Sequence, residues 1–224
     1  MQADRVHAPR VIGILITALA AVAMSWGIAS ALLPKAAADR TNSPPLNVTC
    51  NKSGCHTPPP GADQGSIEVT CVPACYQPGQ KYTITVKVSD PTATRWGFEI
   101  SAQYSEGNEF DNYSAGTLAT IAGQRTALVP SADGLRQFIS HDAESADGDG
   151  TYETQATSAQ WNVEWTAPTT RTTQVCFYAA GIAANANGGR TGDRTYTKKI
   201  CTQSCQPVPT RHHTWGEVKE RFYR

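Results

Sequence analysis

Short segments in which apolar and polar residues alternate recur along much of the chain. In residues 81–88 every second position is apolar and the positions between them hold threonine or lysine, which is the period of a half-buried β-strand. Residues 95–102 and 160–166 repeat this period, and residues 175–179 carry a further apolar stripe. Weaker alternation predicts strands at residues 66–72, 117–121, 135–140 and 194–200. About eight short strands with polar turns between them predict an all-β fold, an antiparallel β-sandwich.

Three tryptophans, Trp96, Trp161 and Trp165, lie on the apolar faces of these predicted strands. On an exposed face they would form a platform for an aromatic ligand. Large aromatic side chains at strand-face spacing more often fill the interior of a sandwich. We therefore predict that all three belong to the core.

The N-terminal residues carry the pattern of an export segment. Arg5 and Arg10 precede an uncharged run over residues 11–33, and an alanine triplet follows at residues 36–38. These are the parts of a secretory signal peptide, with cleavage after Ala38. The run exceeds the ~7–15 residues of a usual signal peptide, and at about 1.5 Å per residue it reaches roughly 34 Å, so an uncleaved N-terminal membrane-anchor helix is the alternative. Both alternatives place the rest of the chain outside the cytoplasm, in the periplasm, at the cell surface or secreted.

The chain divides into four predicted regions. Residues 1–38 are the signal peptide or anchor, residues 39–64 a tether, and residues 65–205 the β-sandwich. Residues 206–224 are a linker followed by a short amphipathic helix. This helix is predicted from the capping box of Thr214 with Glu217 and from the apolar face of Trp215, Val218 and Phe222.

Charge and cysteine content narrow the function classes. Basic and acidic residues number 19 each and the pI is about 6.9, so nothing favours a nucleic-acid partner. Seven cysteines suit an oxidising compartment. The sequence contains no G-x-S-x-G, H-E-x-x-H or P-loop string, and it favours an electron carrier or a binding module over an enzyme.

Several strings, in one order, resemble a known family. They are R-W-G-F-E-I at 95–100, F-I-S-H at 138–141, W-N-V-E-W-T-A-P at 161–168, F-Y-A-A-G-I-A-A-N-A-N-G-G at 177–189 and T-G-D-R-T-Y-T at 191–197. Together they resemble bacterial reelin-type domains, often called choice-of-anchor V domains, over residues 65–197. The resemblance implies an immunoglobulin-like sandwich on an exported bacterial protein and little about activity. Many members carry C-x-x-C-H just before the sandwich, whereas this chain has four residues between the two cysteines.

Cys50, Cys55 and His56 form this variant element and are the strongest chemical signal. In a c-type cytochrome two cysteine thiols form thioethers to haem, and the histidine after the second cysteine ligates the iron. Here the histidine keeps that adjacency. The alternatives are a small Cys50–Cys55 disulfide loop with an adjacent histidine, or a site for another metal. The spacing together with the resemblance favours haem c.

A sixth iron ligand follows from composition and from the resemblance. Both methionines, Met1 and Met24, lie in the export segment, so His/Met ligation is excluded for the exported part. His141 ends a predicted strand, and the resemblance places a histidine there too. We predict His56 and His141 as axial ligands of a six-coordinate iron suited to electron transfer. An open sixth position would instead permit ligand binding or peroxide chemistry, and a backbone-bonded loop role is the alternative for His141. His212 and His213 fit a solvated linker pair.

The remaining cysteines suggest one pairing. Cys176 and Cys201 lie symmetrically about the Gly188–Gly189 step, so they face each other if that loop joins two antiparallel strands. The C-x3-C pairs at 71 and 75 and at 201 and 205 span about 13 Å in a straight strand, too far to bridge. Each such pair therefore lies in a turn or bonds elsewhere. Because seven is odd, at least one thiol lacks an internal partner.

Two polar loops and the choice of function complete the prediction. The acidic loop with Asp142, Glu144, Asp147 and Asp149 offers oxygen ligands for calcium, but an acidic surface turn is preferred, and Asn185, Asn187 and Asp193 are interpreted likewise. The first function hypothesis is an extracytoplasmic haem protein that passes electrons to a redox partner. The second is a disulfide-stabilised module that recognises or adheres to a cell-surface protein, without haem. Membrane contact is expected only through an uncleaved N-terminal segment.

Overall fold

The computed structural model of the chain describes residues 35–52, 55–59, 61, 63–105, 111–142, 157–170, 173–187 and 189–205. Within them lie ten β-strands: β1 Ser66–Thr70, β2 Cys75–Tyr76, β3 Lys81–Ser89, β4 Arg95–Tyr104, β5 Thr117–Thr120, β6 Thr126–Pro130, β7 Gln137–His141, β8 Ser158–Thr166, β9 Val175–Ala184 and β10 Arg194–Ser204. None of these residues belongs to a helix with the length and apolar character needed to span a bilayer. The predicted N-terminal run and C-terminal helix lie outside the described residues.

The strands form two sheets. One has four strands in the order β1-β3-β8-β5, and the other has six in the order β2-β10-β9-β4-β7-β6. All pairs are antiparallel except the short parallel pair of β2 with β10. The predicted all-β sandwich is confirmed, and each of the eight predicted strands is present. The prediction missed β2, which has only two residues, and β6, in which no residue is buried.

The core between the sheets is built on aromatic side chains. Trp96, Trp161 and Trp165 are each 0% exposed, as predicted for core residues. Phe98 stacks on Trp161 with ring centroids 4.5 Å apart, while Trp165 meets Phe177 edge-on at 5.0 Å. These contacts join β4 and β9 of the larger sheet to β8 of the smaller one.

The larger sheet is buried on its outer face as well. Phe98 and Ile100 of β4 point into the core, yet Glu99, Ser101 and Gln103, which alternate with them, are each at most 1% exposed. A half-buried strand would leave this second row in water. The cover is supplied by the chain just before the sandwich.

Residues 36–43, here named the N-terminal strap, run across that outer face. Their polar contacts with the sheet are Ala36 N–H to Ser140 Oγ at 3.0 Å, Arg40 N–H to Glu99 Oε2 at 2.6 Å, Thr41 Oγ1 with Ser101 Oγ at 3.4 Å, and Gln103 Nε2 to Ser43 Oγ at 3.0 Å. Arg136, beside β7, also binds the carboxylate of Asp39. The interpretation of residues 39–64 as a tether did not anticipate these contacts, which form because the outer face of β4 offers buried polar partners.

Two disulfides close the structure. Cys176 and Cys201 face each other across β9 and β10 and are bonded, as the symmetry of their positions suggested. Cys75 and Cys205 bond between β2 and the end of β10, so each C-x3-C pair contributes one cysteine and neither bridges within itself. Cys50, Cys55 and Cys71 remain free thiols.

Candidate functional site

The Cys-x4-Cys-His element is held by a β-bridge on each side. Before it, Thr41 and Thr49 form a β-bridge inside the N-terminal segment. After it, Thr57 forms a parallel bridge with Thr191, with Thr57 N–H donating to Arg190 O at 2.6 Å. The element is therefore held between the N-terminal strap and the loop that joins β9 to β10.

His56 is oriented by a buried carboxylate. Its Nδ1 lies 2.7 Å from Oδ2 of Asp193, and the two side chains are 26% and 4% exposed. The other oxygen of Asp193 accepts the Asn185 N–H at 3.2 Å. Because the carboxylate accepts a hydrogen bond, the proton of neutral His56 sits on Nδ1 and the lone pair on Nε2. Nε2 is thus the ring nitrogen available to a ligand or metal.

The location of Asp193 differs from the sequence-based expectation. We placed it in a solvated polar loop together with Asn185 and Asn187, but it is 3% exposed. Its two oxygens connect the β9–β10 loop to the Cys-x4-Cys-His element, which explains the burial. The local sequence around Asp193 does not indicate that it binds His56, because the two residues are 137 positions apart in the sequence.

Cys55 lies close enough to Cys50 to influence the pKa of the Cys50 thiol. Burial is the main cause that raises the pKa of the Cys50 thiol to about 12, and the nearby Glu99 and Cys55 add to it. Cys50 is therefore a neutral thiol at physiological pH, and a neutral thiol is a poor nucleophile for disulfide exchange. Cys55 is exposed.

Glu99 is a buried carboxyl group that the sequence analysis did not single out. It is 0% exposed, and its Oε2 accepts the Arg40 N–H at 2.6 Å. Among the described residues no donor reaches its Oε1. Burial raises the pKa of Glu99 to about 8, with Asp39 adding to the shift and Arg40 opposing it. In an alternating strand a glutamate at this position predicts a solvent-facing side chain, so only the strap reveals its burial.

His141 lies at the end of β7, with its ring against β4. Its Nδ1 is 3.1 Å from both the N and the O of Phe98. A Cβ atom at Gly97 would come within 2.8 Å of the imidazole, so this close approach requires glycine there.

The two predicted iron ligands lie apart in the sheet. His56 contacts Asp193 at the start of β10, whereas His141 is on β7, with β9 and β4 between them. Three strand spacings place β10 about 14 Å from β7, measured across the sheet. Within the described residues no three His, Cys, Asp or Glu side chains are grouped to hold a metal ion. Most of the acidic loop, for which an acidic surface turn was preferred over a calcium site, and the pair His212 and His213 lie outside the described residues.

Comparison with known proteins gives similarities of fold. No family model and no curated protein matches the chain. Among solved structures, the human F-spondin reeler domain is 23% identical, with 66% of this chain and 95% of that chain covered and a TM-score of 0.40. AvmM, which catalyses macrocyclization in alchivemycin A biosynthesis, is 12% identical over 70% of this chain and 98% of its own, with a TM-score of 0.41. The seventh ScaB type I cohesin of Pseudobacteroides cellulosolvens is 9% identical over 66% and 98%, with a TM-score of 0.34. The β-sandwich itself is established by the chain's own two sheets, and these similarities carry no statement about its activity.

Proposed function

We propose that this protein is an extracytoplasmic c-type haem protein that transfers electrons. Cys50 and Cys55 anchor the haem through thioethers and His56 ligates the iron through Nε2. The observation that carries this proposal is the 2.7 Å hydrogen bond between His56 Nδ1 and Asp193. Metal-bound histidines almost always donate their second ring N–H to a carboxylate or carbonyl, which fixes the ring and leaves the other nitrogen for the metal.

The compartment is supported by the disulfides. Four of the seven cysteines pair as Cys75–Cys205 and Cys176–Cys201, which belongs to a protein that folds in an oxidising compartment. Cys50 and Cys55 stay free in the same structure although they are neighbours. A pair of thiols followed directly by histidine is the donor set that covalent haem attachment requires.

Each residue of the site has a separate task under this proposal. When bound, haem iron supplies a one-electron redox centre. Cys50 and Cys55 fix its position, His56 donates Nε2 to it, and Asp193 holds the imidazole and increases its basicity. His141 is the proposed second ligand, in keeping with the resemblance to reelin-type domains of the choice-of-anchor V group. Glu99 and Arg40 lie near Cys50, so charge on either of them would influence the potential.

Expression tests the proposal directly. The full chain, exported in a host that has the c-type haem maturation machinery, should be red and should keep its Soret absorption after denaturation, because thioethers survive unfolding. A colourless protein in which Cys50 and Cys55 are joined as a disulfide would overturn the haem proposal. It would leave a disulfide-stabilised recognition module as the function.

Asp193→Asn is expected to raise the midpoint potential of the haem protein. A carboxylate that accepts the His56 N–H makes the imidazole a stronger donor, which favours oxidised iron, and the amide lacks that charge. Redox titration of the purified protein measures the shift. Asp133→Asn is the control, since Asp133 is an exposed carboxylate that pairs with Arg136. A potential unchanged by Asp193→Asn would contradict the orienting role.

His141→Ala is expected to convert the low-spin absorption spectrum of the oxidised protein into a high-spin one. Removal of one imidazole leaves the sixth position to water, a weaker ligand. His213→Ala, which changes a histidine of the C-terminal linker, should leave the spectrum as it is. If His141→Ala gives the wild-type spectrum, His141 is not the second ligand, whereas the assignment of His56 is unaffected.

A further inference from the structure

The carboxyl group of Glu99 lies on the outer face of the larger sheet and contacts the strap just after the predicted cleavage site. Glu99 is 0% exposed, and its Oε2 accepts the N–H of Arg40 at 2.6 Å. Its Oε1 is buried, and no donor among the described residues reaches it. A buried acceptor left without a donor costs about 1–3 kcal/mol, so a further partner would stabilise this site.

The backbone nitrogen of Asp39 lies one residue before the Arg40 N–H that donates to Glu99 Oε2. Adjacent backbone nitrogens are joined through only three bonds, so Asp39 N is within about 4 Å of Arg40 N. The Asp39 side chain is fixed to Arg136, which holds this residue against the sheet. Ala38 immediately precedes Asp39 and ends the small-residue triplet at which the export signal is expected to be cleaved.

We propose that cleavage between Ala38 and Asp39 creates an N-terminal ammonium group that remains docked beside Glu99 and forms a buried ion pair with it. The export peptidase adds one water molecule across the peptide bond. Ala38 leaves with the carboxylate, and Asp39 keeps the amine, which takes up a proton at neutral pH. Cleavage would thus remove the export segment and give the mature protein a new structural contact, made by the amine of Asp39.

The charges around Glu99 agree with this pairing. In the chain that still carries residues before Asp39, the neighbours of Glu99 are the charges of Asp39 and Arg40 and the thiol of Cys50. In that chain the carboxyl groups of Glu99, Asp39 and Asp133 share two arginines. Arg40 lies near Glu99, and Arg136 pairs with Asp39 and Asp133. A new ammonium group supplies a further positive charge beside a carboxyl group that is 0% exposed.

A two-residue insertion tests the proposal in the exported full chain. Gly-Ser placed between Ala38 and Asp39 preserves the cleavage site but moves the ammonium group about 7 Å along the chain. N-terminal sequencing should find Asp39 first in the unaltered protein. At pH 7 the insertion should raise the equilibrium constant for unfolding roughly 10- to 100-fold, the range of charged hydrogen bonds. In the Glu99→Gln background the insertion should change it by less than about twofold.

The controls separate the ion pair from a general effect of the extension. Glu164→Gln removes the exposed Lys81–Glu164 pair, and the insertion should have its full effect in that background. Should Glu99→Gln fail to fold, the acetylation rate of the N-terminal amine at pH 7 replaces it: slow in the unaltered protein and fast with the insertion. A mature N-terminus upstream of Asp39, equal insertion effects with Glu99 and with glutamine, or equal acetylation rates would each overturn the proposal.

The pH dependence of stability gives an independent measurement. In the inserted chain, the raised pKa of about 8 for Glu99 means that the folded state keeps a proton which the unfolded state releases above about pH 4.5. Stability of that chain should therefore fall as the pH rises from about 4.5 to 8. In the unaltered mature protein the ammonium group keeps Glu99 ionised, so the fall should be absent from this window and begin only as the amine loses its proton. Identical profiles for the two chains would contradict the ion pair.

Discussion

Replacing Trp165 with alanine is expected to lower the free energy of unfolding by about 3–5 kcal/mol. The side chain is 0% exposed and lies between Tyr76 at 5.4 Å and Phe177 at 5.0 Å, measured between ring centroids. Its Nε1–H donates to Ala115 O at 2.8 Å, which ties β8 to the segment before β5. The substitution therefore removes packing between the sheets and leaves a buried carbonyl without its donor. Since whole domains are stable by about 5–15 kcal/mol, much of the protein should be unfolded at elevated temperature.

Urea denaturation monitored by circular dichroism measures this loss. Trp165→Phe keeps most of the aromatic packing and loses the hydrogen bond, so its effect should be clearly smaller than that of Trp165→Ala. Leu128→Ala is the surface control, because Leu128 is 46% exposed, and it should change stability by less than about 0.5 kcal/mol. A Trp165→Ala variant as stable as Leu128→Ala would mean that the two sheets do not pack as described.

Replacing Cys50 and Cys55 together with serine is expected to abolish covalent haem attachment completely. Serine hydroxyls do not form the thioethers, and no other described thiol pair lies next to a histidine in the sequence. The third free cysteine, Cys71, provides a matched control because it is exposed and follows β1. Cys71→Ser should therefore retain the full haem content.

The haem that remains on the polypeptide after denaturation distinguishes these variants. Under the proposal, haem absorption should follow the polypeptide through denaturing chromatography for the unaltered protein and for Cys71→Ser. The double variant should release any bound haem. If all three proteins lacked haem equally after export through the haem maturation machinery, Cys50 and Cys55 would have no role in attachment.

Periodicity predicted the sandwich because strands such as β1, β3 and β8 bury every second residue. Period 2 identifies such a strand from local sequence alone, and the three core tryptophans follow from the same pattern. Glu99 escaped this reasoning, since a glutamate between Phe98 and Ile100 has the local pattern of an exposed residue. Its burial depends on the N-terminal strap, which is distant in sequence and lacks any repeating pattern.

The sequence pointed to the side chains proposed to hold haem, but not to the residue that orients His56. The adjacency of Cys55 and His56 is a local motif, so the sequence alone was sufficient to single it out. The partner of His56 is a contact across 137 positions, and no local rule predicts Asp193 as its acceptor. The Cys75–Cys205 disulfide was missed for a similar reason, because it depends on the parallel pairing of the two-residue strand β2 with β10.

The mass of the intact native protein tests the central claim most directly. Measured without reduction after export through the haem maturation machinery, it should equal the mature polypeptide with two disulfides and one covalently attached haem. A mass equal to the polypeptide alone, with a third disulfide that joins Cys50 to Cys55, would contradict the account. The protein would then be an exported sandwich without a redox centre at this site.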